Sequence, residues 1–175
     1  MSCYEISKRS QKIYAADGGE LLRYSLQFPV FSDEDKGIEK INEFYRTVAE
    51  KCEEFCTGEL HEYCEAKRCE EKAYRPYSYR LVCSVEREDD ECISVLISAS
   101  LKRLGESGYV GRYSSAHNFD KRNGMLMPPE LILKKYAPEI KNPRKYIRQN
   151  KLSAIRLSEK GVLSLFDGAW KVLSL

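Results

Sequence analysis

The chain has 175 residues, 42% hydrophobic and 32% charged, with 29 basic against 27 acidic side chains and a net charge of +2. This is a globular composition, which excludes a disordered or fibrous chain, and no apolar run approaches the ~20 residues of a membrane span. The opening MSCYEISKRSQKIY lacks the apolar core of a secretory signal, so a cytoplasmic protein with its seven cysteines reduced is expected.

Residues 3–14 alternate loosely and run into ADGG, a turn signal. Residues 20–28 (ELLRYSLQF) resume the strand pattern and stop at Pro29. The spacing predicts a β-hairpin over residues 1–31, with Asp17, Gly18 and Gly19 in its loop. Ser32 or Asp33 then caps a helix, with Glu34 and Asp35 in its first turn, where the helix dipole favours negative charge. Ile38, Ile41, Tyr45, Val48, Cys52 and Phe55 recur at three and four residues, the stripe of a helix that buries one face. The helical region is placed at 33–72, with a break or kink at Gly58, beyond which Leu60, Tyr63 and Cys64 continue the stripe more weakly.

Strict alternation at Tyr77, Tyr79, Leu81, Cys83 and Val85 predicts a half-buried strand. The charged tip EREDDE follows, then a partner strand from Cys92 to Leu101 and a third from Tyr109 to Phe119. Asp120, Asn123 and Gly124 make a tight turn. Pro129 and Pro143 open short helices within 129–150, since proline is tolerated in a first turn. Residues 153–175 read as a hairpin turning at 159–161 and a last strand holding Trp170. The expectation is one α+β domain over 1–175, a mostly antiparallel sheet with one long amphipathic helix packed on it and short helices near the C-terminus.

Four residue groups carry candidate chemistry. Cys52, Cys56, Cys64 and Cys69, with His61 among them, are ligand types that zinc prefers, but the spacing lacks the paired turns of a structural zinc site. Cys52 also lies on the core stripe, where cysteine behaves as a small hydrophobe. Buried thiols and no metal are expected. His117, beside Asn118 and Asp120, has the pKa of a general base, yet no Gly-x-Ser-x-Gly elbow presents a nucleophile, and a hydrogen-bonded histidine at a strand end is the plainer reading. The 120–124 segment fails the calcium-loop pattern because Arg122 stands where an oxygen ligand is required. The acidic tip at 86–91 reads as a solvated hairpin end that discourages edge pairing.

Charge is segregated along the chain. Residues 33–71 carry 13 acidic and 6 basic side chains, whereas residues 134–160 carry 9 basic and 2 acidic. Lys134, Lys135, Lys141, Arg144, Lys145, Arg148 and Lys151, with Tyr136 and Tyr146 between them, suit a nucleic-acid backbone and stacked bases. The alternative is that the two segments face each other, within one chain or between two copies, and that alternative weighs more.

The order of pieces resembles RsiV-like anti-sigma-factor ectodomains and peptidoglycan-deacetylase accessory domains. The resemblance rests on Phe28-Pro29 before the helix, Ile41-Asn42 within it, and Asn118-Phe119-Asp120 with Gly124 in the later turn. Members of that family usually sit outside the cell behind a membrane anchor, which this sequence does not show, and their Gly-Gly-Ala-His-Gly stretch is here Ser114-Ser115-Ala116-His117-Asn118. The resemblance implies a non-catalytic module that binds a protein or glycan without a cofactor, with lysozyme sensing in one branch. Binding is expected to involve His117, Asn118, Asp120, Lys134, Lys135, Arg144, Lys145 and Arg148. A metal site at Cys52, Cys56, His61 and Cys64, or hydrolysis through His117, is the alternative.

Overall fold

The computed structural model describes residues 4–32, 36–159, 161–166 and 169–173. The chain is α+β. Strands β1 (Tyr4–Tyr14) and β2 (Glu20–Phe31) form the N-terminal hairpin. Helices α1 (Lys36–Thr57) and α2 (Glu59–Glu70) follow, and then the meander β3 (Tyr77–Glu88), β4 (Cys92–Arg103) and β5 (Gly111–Asp120). These five strands make one sheet in chain order, antiparallel except where β2 runs parallel to β3. Helices α3 (Pro129–Tyr136) and α4 (Pro143–Gln149) lead into a second, antiparallel sheet of β6 (Ala154–Ser158), β7 (Gly161–Phe166) and β8 (Ala169–Val172). No helix among the described residues is long and apolar enough to cross a membrane. Of the predicted helix start, the cap candidate Asp33 and the first-turn acids Glu34 and Asp35 lie outside the described residues.

The first half of the helix stripe is sealed, whereas Val48 and Cys52 are only half-buried and Ala49 and Cys56 are sealed beside them. Ile38, Ile41, Tyr45, Ala49 and Cys56 of α1 and Leu60 and Cys64 of α2 are buried against Leu22, Leu26, Leu81, Ile93, Val95 and Phe119 of the sheet. The break falls at Gly58, whose backbone leaves the helical region, and α2 sets off in a new direction. Phe55, one turn before the break, is consequently 39% exposed rather than sealed in the core.

The residues that carry the family resemblance turn out to hold the fold together. Asn42 of α1 accepts from the Phe31 N–H at 2.9 Å and donates to the Phe31 carbonyl at 2.8 Å, fastening the helix to the end of β2. Phe119 packs edge-on against Phe44 and Tyr45. Gly124 has φ +70° and sits against the backbone of Gly37 at the start of α1. Pro29 does not end β2, which continues to Phe31; pairing with β3 stops at Gln27, so a strand residue without an N–H is tolerated where the second edge is empty.

The small sheet packs on the opposite face of the large one, over its β4–β5 end. Leu133, Ile155, Leu157 and Val162 join Cys92 in a second apolar cluster. Two buried side chains cross between the sheets. Ser94 donates to Asn118 Oδ1 at 2.7 Å and accepts from the Leu157 N–H at 3.1 Å, while Asn118 Nδ2 donates to the Ile155 carbonyl at 2.8 Å. The free edge of β6 is thereby satisfied by side chains instead of another strand.

The acidic tip at 86–91 is not the solvated end expected of it. Lys121 bonds Glu88 at 2.7 Å, Lys135 pairs with Glu91, and Arg156 approaches Glu86 at 3.5 Å. Asp89 accepts from the N–H groups of Glu91 and Cys92, which close the turn, and from the Tyr136 hydroxyl at 3.3 Å. The tip is a clasp for α3 and β6, because those elements supply the cations that its carboxylates need. Ion pairs of α1 and α2 run elsewhere, from Glu53 to Arg9 and Arg68 to Asp17, and Glu71, just past α2, pairs with Arg103.

Candidate functional site

The sequence-proposed residues do not converge. His117 lies on the helix face of β5, with its ring edge-on to Phe44 and its Nδ1 3.4 Å from the Tyr45 hydroxyl. Asn118 points the other way, into the buried bridge to β6. Asp120 turns back onto Arg122, whose guanidinium and N–H hold its carboxyl below the usual range. Lys134, Arg144, Lys145 and Arg148 are exposed, Lys135 is engaged with Glu91, and Tyr146 packs into the second cluster rather than offering its face.

Four cysteines lie along the helix–sheet interface, whereas Cys69 is exposed and Cys92 belongs to the second cluster. Cys56, Cys64 and Cys83 are buried and Cys52 is half-buried, all as free thiols. Burial pushes Cys56 and Cys83 up to about 12 and Cys64 to about 11, which disfavours the thiolate that nucleophilic attack or metal binding requires. His61 pairs weakly with Glu65 on its own helix at 3.8 Å. No group of three or more potential ligands gathers among the described residues.

Burial also pushes His117 down to about 4, against ~6.5 in an unfolded chain. Between those values the unfolded chain takes up a proton that the folded one refuses. This contribution to stability is therefore complete above about pH 6.5 and is lost progressively as pH falls toward the folded value. Urea midpoints at pH 7 and pH 5 are expected to differ in the native protein and to draw together in His117→Phe. An undiminished difference in the variant would show that this imidazole is not the source.

What the structure does bring together is a corner of the large sheet that neither layer covers. On the helix face, the bend at Gly58 carries α2 away from the start of β5. This leaves an apolar groove of about 420 Å³ between Phe55, Leu60, Tyr79, Leu81, Leu101 and Tyr113. Tyr113 is 61% exposed there. On the opposite face, at the margin of the small sheet, lies a second groove of about 450 Å³ walled by Arg80, Ser98, Ser100, Tyr109, Arg112 and Ser114. The small sheet bounds it through Leu165 of β7 and through Trp170 of β8, whose Nε1 donates to Ser114 Oγ at 2.9 Å. No acidic side chain lines it. The Arg112 guanidinium lies 3.3 Å from the centre of the Tyr109 ring and Lys102 Nζ 4.0 Å from it. Hydrogen bonding from Lys102, with Arg112 and Arg80 nearby, draws the Tyr109 hydroxyl below its ordinary pKa.

The edge of β5 runs between the two grooves. Its far end is occupied: Asp120 N–H bonds the Met125 carbonyl and Met127 N–H bonds the Asn118 carbonyl. Because backbone groups alternate sides along a strand, the outward pairs nearer the start belong to Arg112 and Ser114. β5 ends the strand order, so no strand among the described residues pairs with them. The opposite edge, β1, is a poorer platform, since Lys8, Arg9 and Lys12 stud it and the hollow beside it is small and polar.

Sequence reasoning missed this corner. Arg80, Arg112 and Tyr113 are unremarkable in their own stretches, and only β3–β4–β5 pairing sets them side by side.

No family model matches the chain, and no curated protein matches it. Solved structures that share its fold include two DUF3298 family proteins. A DUF3298 family protein from Pseudomonas aeruginosa PAO1 has a TM-score of 0.54 at 13% identity, covering 93% of this chain and 81% of that one. A DUF3298 member from Bacteroides fragilis NCTC 9343 has a TM-score of 0.51 at 11% identity, covering 86% and 74%. At such identities the likeness is one of fold.

Proposed function

We propose that this chain is a non-enzymatic binding module of the RsiV-like type that takes an extended segment of another protein along the open half of β5. The observation that carries the reading is the unpaired start of β5 with a groove on each side of it. Main-chain bonds to an added strand supply affinity, and its alternate side chains drop into the two grooves. The sequence-proposed polar residues, by contrast, are dispersed over both faces of the sheet, with His117, Asn118 and Asp120 each engaged separately. The motif resemblance to a non-catalytic family and the shared DUF3298 fold agree with a module of this kind.

The test is amide chemical-shift mapping with peptides selected against the whole protein from a random display library. Shifts are expected at residues 111–116, and Ser114→Pro is expected to weaken binding about tenfold or more. That proline removes one outward N–H, worth about 1 kcal/mol, and also crowds the incoming strand. It spares the bonds to β4, because the missing donor faces outward. Selected peptides that shift β1 or α4 instead, or that bind Ser114→Pro as well as the native protein, would rule out docking on β5.

A further inference from the structure

Given strand addition on β5, we infer that the incoming segment alternates apolar with anionic side chains. The inference rests on that docking reading and adds the chemistry of the ligand to it. A strand's successive side chains point to opposite faces of the sheet, so whatever pairs with β5 must present one set to each groove.

The two grooves ask for different chemistry. The helix-side groove is lined by Phe55, Leu60, Tyr79, Leu81 and Leu101, so burial there favours aliphatic or aromatic side chains. The opposite groove sets Arg80 and Arg112 beside the hydroxyls of Ser98 and Ser100, with Lys102 and Arg112 gathered at Tyr109. The ion pairs of this chain leave Arg80, Lys102 and Arg112 without a carboxylate among the described residues. Two cations in the half-enclosed hollow and a third, Lys102, at its Tyr109 wall repel one another, and a carboxylate entering it relieves that repulsion while gaining charge-assisted hydrogen bonds. Apolar burial holds the strand, and charge selects it.

Charge also decides against a second copy of this chain as the occupant. Pairing β5 with β5 would bring a second Arg80–Lys102–Arg112 cluster beside the first.

The experiment uses two end-blocked six-residue peptides on the whole protein, one alternating leucine with glutamate and one alternating leucine with lysine. The glutamate peptide is expected to shift residues 111–116 with at least about tenfold higher affinity at low salt and to lose that advantage as salt rises. The paired substitution Arg80→Glu with Arg112→Glu is expected to reverse the preference. Equal affinity of the two peptides at β5 overturns the charge inference and leaves strand docking standing. Shifts from neither peptide, or shifts from the glutamate peptide confined to the basic helix α4, overturn both. A dimer in sedimentation equilibrium whose β5 amides are protected from exchange without any peptide would make a second copy the occupant.

Discussion

Gly124→Ala is expected to lower the unfolding free energy by about 3 kcal/mol. For a chain of this size that is a fall in Tm of roughly 6–12 °C. Two causes act together. The residue has φ +70°, a conformation that alanine adopts only under strain, and a methyl group built there would overlap the Gly37 carbonyl and crowd Lys40. Gly37 is the reciprocal half of the contact, since its own added methyl would overlap the Lys121 carbonyl. Gly18→Ala separates the two causes. Its φ is +83° but nothing lies within 4 Å, so it should show backbone strain alone, about 1 kcal/mol. Equal losses at Gly18 and Gly124 would mean that close approach of the turn to α1 contributes nothing.

The second large effect is expected at the bridge between the sheets. Asn118→Ala deletes the donor to the Ile155 carbonyl and the acceptor of the Ser94 hydroxyl, both inside the protein. Buried groups deprived of a partner cost about 1–3 kcal/mol each, so a loss of roughly 3 kcal/mol is anticipated. Ser94→Ala strands the Leu157 N–H and should cost about 2 kcal/mol. Because the two side chains bond each other, the double variant should lose less than the two singles combined. Strict additivity in urea midpoints would show that Ser94 and Asn118 act separately.

Local patterns were legible in the sequence, and distant pairings were not. The 3-4 spacing from Ile38 to Phe55, the break at Gly58 and the turn at Asp17–Gly19 depend on neighbours within a few residues, and the structure has all three. Gly124 was legible as a turn, but its contact with Gly37 was not, because no spacing rule connects residues so far apart. The parallel pairing of β2 with β3 and the separation of β6–β8 into their own sheet arise from packing, which hydrophobic periodicity does not encode. The charged tip misled for a related reason: Glu88 and Glu91 resemble any solvated acids until Lys121 and Lys135 come to rest beside them. His117 and Asn118 are adjacent in sequence, yet a strand sends neighbours to opposite faces, so their proximity said little about a shared site.

The parallel seam between β2 and β3 bears on how the chain is made. Residues 22–27 of β2 take as partners residues 77–82, and α1 and α2 lie between. During synthesis β2 can close on β1 as soon as both have emerged, but its second edge waits until the ribosome has extended the chain through Val82. Over that interval an apolar strand containing Leu22, Leu26 and Phe28 stands half-paired, and the newly made amphipathic helix is what can shelter it.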